Sequence, residues 1–163
     1  MVTRYRPTST RYGAGVAGRI VFTLAGAAGL IVGALLEWWN GMLGTDLTVK
    51  ALYQSTFTTA DRFLASVGFV AIVLGLLAVL GLAGSTGWLT RLAGALGLVM
   101  FILLAIQGYR ASANSVSAEL DQVDQVDVGA WIALAGSLVA LVGGFLGRPR
   151  VLTGPVTAAD EDI

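Results

Sequence analysis

The sequence predicts an all-α protein: a four-helix transmembrane bundle with both termini cytoplasmic and a long first outer loop. Three observations predict it. Four apolar stretches, Ile20–Leu36, Leu64–Ala83, Leu92–Ile106 and Val128–Gly147, carry no charged residue in their interiors. Hydrophobic residues make up 56% of the 163 and charged residues only 12%, with a mean hydropathy of +0.79; a soluble domain carries about 25% charged residues because its surface must be hydrated. The charges lie between the stretches or in the terminal flanks. A hydrocarbon core of roughly 30 Å takes about 20 residues of helix to cross, and each stretch reaches that length once its flanks are included. The expected spans are 19–39, 62–83, 88–109 and 128–147, inside one domain, 19–150.

Charge sets the expected orientation. Basic residues near the bilayer mark the cytoplasmic side. In a four-span topology Arg4, Arg6, Arg11, Arg19, Arg91, Arg148 and Arg150 share one side, against Lys50, Arg62 and Arg110 on the other. The larger set is therefore expected inside, in the plasma membrane. A cleaved signal peptide would use Ala25–Gly29 as its cleavage region, but the apolar run continues to Leu36, which suits a span. Residues 1–18 read as a disordered basic arm with arginines near anionic headgroups, and 151–163 as a disordered acidic tail.

Span one ends in Glu37-Trp38-Trp39-Asn40-Gly41. Trp38 and Trp39 are expected at headgroup level, where an indole satisfies both its apolar ring and its N–H. Trp88, Arg19, Arg91, Arg148 and Arg150 are the other expected interface anchors. Gly41 and Gly44 are expected to end the first helix. Within the first outer loop, Asn40–Arg62, Asp46 could cap a short helix over Leu47–Gln54, on the membrane surface or over the bundle. Val49, Tyr53, Thr56, Phe57 and Thr58 keep a β reading open.

Thr58 and Asp61, three apart, approximate a capping box opening span two. Ala83–Gly87 is a tight turn to span three, with Ser85 or Thr86 as cap. Asp127 is the expected N-cap of span four, and Arg148-Pro149-Arg150 stops that helix.

The strongest packing signal is a stripe of small residues on span four: Gly129, Ala133, Gly136, Ala140, Gly143 or Gly144, and Gly147. Span one repeats it with Ala25, Gly29 and Gly33, span three has Ala93 and Gly97, and span two has Gly68 and Gly75. In lipid, helices associate through close packing, so faces of small residues are contact faces. Two uses fit the stripe: packing inside one monomer, or a groove for a partner helix or second copy.

Several chemistries are excluded. With no cysteine and no histidine, disulfides, thiolate nucleophiles, Cys/His zinc sites, His-ligated haem and histidine proton switches are ruled out. Carboxylate sites remain. Asp121, Asp124 and Asp127 could approach a divalent cation, but no glycine-bearing calcium loop accompanies them; a solvated acidic loop is the expectation, and no metal or cofactor is assigned. Intramembrane polarity is limited to Thr23, Ser66, Ser137 and Gln107, and each hydroxyl is expected to bond a carbonyl of its own helix. Ion pathways normally leave charge at membrane depth, and no proline breaks a span. No nucleophile–base pair is identifiable, so no catalytic residue is assigned.

The expected function is thus a non-catalytic membrane protein: an accessory subunit, scaffold or assembly factor whose partners are the lipid bilayer and another membrane protein or a second copy, not nucleic acid. An oligomeric channel or small-solute transporter is the alternative, and a membrane-bound lipid-handling enzyme the third reading.

Over Arg19–Arg150 the layout resembles the claudin-like tetraspans in topology: four helices, inner termini, a long first outer loop with tryptophans near its start and a shorter second one. That family follows its tryptophans with a cysteine pair. Trp38 and Trp39 stand in the general area, but this chain has no cysteine, and no functional residue carries over. With nine arginines to one lysine and abundant Ala, Gly, Val and Leu, the chain more closely resembles the uncharacterised small four-helix membrane proteins of actinobacteria.

Overall fold

A computed structural model describes residues 14–55, 57–84, 86–112 and 126–146. Among them run four helices: α1 (Ala14–Ala34), α2 (Val67–Leu80), α3 (Trp88–Ser112) and α4 (Val128–Phe145). α1, α3 and α4 are long and apolar enough to cross a membrane. Each helix packs on two neighbours in the ring α1–α2–α3–α4, with only slight contact between α1 and α3 across it. Large apolar side chains such as Phe22, Leu76, Ile102 and Leu138 point outward. Alanines such as Ala27, Ala71, Ala78, Ala93, Ala130 and Ala140 fill much of the inside. That inversion of the usual pattern suits lipid as the solvent, where close approach of backbones replaces hydrophobic expulsion as the packing force.

Two spans differ from expectation. α1 starts at Ala14, five residues before the expected boundary, and ends at Ala34, before Gly41 and Gly44. α2 has 14 residues, about 21 Å at 1.5 Å per residue, against the expected 62–83. Residues 62–66 are drawn into a cap over one end of the bundle, and 81–83 belong to the turn after α2 at the other. Val67 N donates to Leu47 O at 2.8 Å and Gly68 N to Gly44 O at 2.6 Å. Backbone donors that would otherwise face the membrane edge unpaired thus find carbonyls in the loop before them. Ser66 is the N-cap: its Oγ accepts from Phe69 N at 3.1 Å and donates to Phe63 O at 2.6 Å. The Thr58–Asp61 capping box does not form, because a 3-10 turn over Phe63–Ala65 intervenes before α2.

The cap is built from residues 35–66. Its first part is a small antiparallel hairpin, β1 (Glu37–Trp39) and β2 (Met42–Leu43), pairing Glu37 with Leu43 and Trp39 with Met42. Asn40 (φ 50°) and Gly41 (φ 78°) make the turn; two successive left-handed residues give a turn whose twist matches the strands. The expected helix over Leu47–Gln54 is one 3-10 turn, Val49–Leu52, with Thr48 rather than Asp46 at its N-cap position. Val49, Tyr53, Phe57 and Thr58, which kept a β reading open, lie in no strand or bridge, and Thr56 lies outside the described residues; isolated bridges join Leu47 to Thr59 and Thr48 to Ser66 instead. Thr48 N donates to Thr58 O at 3.0 Å and Ala60 N to Asp46 O at 2.6 Å. A third bridge, Trp39 to Val126, ties the hairpin to the segment leading into α4. Residues 1–13 and 147–163, and with them most of the arm and the tail, lie outside the described residues.

Candidate functional site

The small-residue stripe of α4 is occupied within the monomer. A Cβ placed on Gly29 would lie 2.8 Å from Gly136 Cα; one on Gly33 would lie 2.7 Å from Ala133 N; one on Gly136 would lie 2.7 Å from Leu30 N. Gly129 meets Glu37 O at 2.6 Å and Gly143 meets Thr23 N at 2.9 Å by the same construction. On α1 the residue in register is Gly26, set against the Ala140 backbone, whereas Ala25, expected there, is exposed. The other flank of α4 receives α3: Gly94 lies against Leu141 and Ser137, and Gly97 against the Ser137 hydroxyl. α4 is therefore clasped on two sides, leaving no free glycine groove among its described residues. Gly147 lies outside them.

The expected anchors divide. Trp88 is 59% exposed. Trp38 is fully buried instead, and its Nε1 donates to Gly33 O at 2.6 Å. The Gly33 carbonyl, which also accepts from Leu36 N at 3.1 Å, satisfies the indole N–H, so the ring has no need of headgroups or water. Trp39 is also buried, stacked on Phe57 with ring centroids 4.2 Å apart and planes 7° apart. Its far edge fits over Gly108, where a Cβ would approach the ring to 2.7 Å. Both tryptophans hold the cap on the bundle, Trp38 against α1 and Trp39 against α3.

Asp127 occupies the N-cap position of α4, but its side chain caps nothing there. Its Oδ2 accepts from Gly41 N at 2.8 Å, and its own N–H donates to Trp38 O at 3.1 Å. It links the hairpin to α4. Asp121 and Asp124 lie outside the described residues, within which no cluster of three or more potential metal-ligating side chains occurs.

At the opposite end of the bundle two arginines hold helix ends. Arg19 Nη2 donates to Gly81 O at 2.7 Å and Gly84 O at 2.5 Å, just past α2. Arg91 Nε donates to Gly144 O at 2.7 Å in the last turn of α4, and its guanidinium lies 4.4 Å from the Phe145 ring centroid. Cations at helix C-termini are favoured by the macrodipole and by the carbonyls left unpaired there. Arg19, expected in contact with headgroups, is mostly enclosed. Arg148 and Arg150 lie outside the described residues.

Between these ends the buried polar groups are few. Ser137 Oγ donates to Ala133 O at 2.8 Å, as expected for a helix hydroxyl. Thr90 Oγ1 bonds Ala78 O at 3.1 Å across the α2–α3 contact. Ser66 serves as a cap rather than as a mid-span hydroxyl. Thr23 Oγ1 is buried and has no hydrogen-bond partner, against the expectation that it bonds its own helix; its neighbour is Gly143 of α4. Gln107 is buried on α3 next to Gly108, at the cap end.

On the outside of the cap, Tyr53, Phe63 and Leu64 are exposed, at 61%, 51% and 68%. A cap carrying exposed apolar side chains can make a contact surface. Comparison of the chain with family models, with characterised proteins and with solved structures returns no match.

Proposed function

We propose that the chain is a multi-pass plasma-membrane protein, both termini cytoplasmic, acting as a non-catalytic accessory subunit, scaffold or assembly factor through its cap. The observation that carries this reading is a small cap locked onto an apolar bundle. Trp38, Trp39 and Asp127 fasten it, and Tyr53 stays exposed on it. Since the glycine stripe is used up between α1, α3 and α4, the cap is the better surface for recognising a partner.

Placing α2 as a fourth crossing has support despite its length. Gly68 at its start lies beside Ala34 O at the end of α1. Gly81 at its finish is bonded by Arg19, near the start of α1. α2 thus traverses the layer that α1 traverses between those residues. The four-helix orientation with Arg19 and Arg91 inside follows from the basic-residue asymmetry.

The test is affinity purification of the full chain in mild detergent, repeated with Tyr53→Ala. A stoichiometric membrane-protein partner that is lost with this change supports the reading. A lone homo-oligomer that conducts ions in liposomes overturns it in favour of a channel.

A further inference from the structure

The end of the bundle opposite the cap brings Arg19 and Arg91 together. The acidic side chains among the described residues are Glu37, Asp46, Asp61 and Asp127, and all four belong to the cap or its link to α4. Arg19 and Arg91 converge at the turn between α2 and α3. A Cβ on Gly87 (φ 64°) would lie 3.4 Å from Arg19 Nη2 and 3.0 Å from Gly144 O, the atom that Arg91 holds. Among the described residues no group accepts from the two terminal nitrogens of Arg91, since its one hydrogen bond uses Nε. That bond and the Phe145 ring fix the plane of the guanidinium, so the side-chain entropy normally lost on binding is already spent in folding. Trp88 stands three residues before Arg91, on the same face of α3. It is 59% exposed, and Phe145 is 63% exposed. α3 also starts here, adding the positive end of its macrodipole.

We infer that Arg91, flanked by Trp88 and Phe145 and with Arg19 beside it, binds the phosphate of an anionic phospholipid headgroup. A planar guanidinium whose two terminal nitrogens meet no acceptor among the described residues suits a phosphate in a bidentate, charge-assisted pair. Aromatic rings on either side suit the glycerol level of the bilayer, where apolar and polar surface meet. A soluble anion would have no use for two exposed rings. This inference rests on the membrane reading above.

The experiment uses the full chain purified in mild detergent and measures thermal stability with added phosphatidylglycerol, phosphatidylcholine or inorganic phosphate. Phosphatidylglycerol is expected to raise Tm by about 3 °C or more, as a ligand bound to the folded state does, and the other two by much less. Arg91→Gln removes the shift. Arg91→Lys retains half of it or less, since it keeps the charge and loses the fork. Trp88→Ala, at an exposed position that should not disturb folding, also reduces it. Equal shifts with both lipids, an equal shift with inorganic phosphate, or a phosphatidylglycerol shift unchanged in both Arg91 variants overturns the inference. Carbonate extraction of cell membranes separates the two failures. Release of the chain into the soluble fraction would remove the membrane reading, whereas retention without lipid selectivity would remove the headgroup site alone.

Discussion

Trp38 donates its indole N–H to the carbonyl of Gly33 at 2.6 Å, five residues back in the chain. One side chain thereby closes the end of α1, seals the core beneath the cap and positions β1. Trp38→Phe keeps most of the ring and leaves the Gly33 carbonyl without that donor. Because Gly33 O keeps its bond from Leu36 N, the expected cost is about 0.5–1.5 kcal/mol, read as a fall in detergent Tm of a few degrees. Trp38→Ala should cost about 3–5 kcal/mol, because a fully buried aromatic is removed. If Trp38→Phe matches the wild type, the hydrogen bond contributes nothing and the ring acts by bulk alone.

Gly136→Leu should be severe. Its added side chain would have to enter the α1 backbone at Leu30, where even a Cβ meets Leu30 N at 2.7 Å. A substitution that forces packed helices apart costs typically 1–3 kcal/mol or more. Gly143→Leu meets Thr23 and Phe22 in the same way. Leu138→Ile, on the exposed face of α4, should stay within about 0.5 kcal/mol. Thermal stability and size-exclusion profiles of the three variants check this, and equal behaviour would mean that α1 and α4 do not meet through this stripe.

Ser66→Ala removes the N-cap of α2 and should cost about 1 kcal/mol. Thr58→Ala and Asp61→Ala, exposed and uninvolved in capping, should each change stability by less than about 0.5 kcal/mol. The opposite ranking in thermal melts would move the start of α2 back to Thr58.

Purified protein in liposomes should give no ion flux above empty vesicles. Ser137 is satisfied within its own helix and Thr23 is enclosed against α4, so neither lines a wet path. Flux that Thr23→Ala or Ser137→Ala alters would replace the scaffold with a pore.

How much of this was legible in the sequence varies by element. α3 starts at the expected Trp88 and α4 at the expected Val128, because turn residues and a break in hydrophobicity mark both. The cap was harder. Asn40-Gly41 is a strong hairpin turn signal, but next to an apolar run it reads equally as a helix stop. Ser66 outcompetes Thr58 as the cap of α2 because Leu47 and Gly44 supply distant carbonyls, and no local pattern announces such partners. The role of Trp38 was hidden for the same reason: an amphipathic ring near a helix end suits an interface, and only the fold brings it within reach of Gly33 O. Periodicity fixes a stripe only to within a neighbouring residue, so the sequence points to Ala25, whereas the contact with Ala140 selects Gly26.

The most direct test of the central claim, a bundle crossing the membrane four times with its cap outside, is cysteine labelling, since the chain has no native thiol. Single cysteines at Ser9, Ser55, Ser85 and Ser117 should separate into two classes in whole cells treated with an impermeant maleimide. Ser55→Cys, in the cap, and Ser117→Cys should label; Ser9→Cys and Ser85→Cys should label only after the membrane is permeabilised. Labelling of both Ser55→Cys and Ser85→Cys from outside would show that α2 does not cross, and would contradict the account.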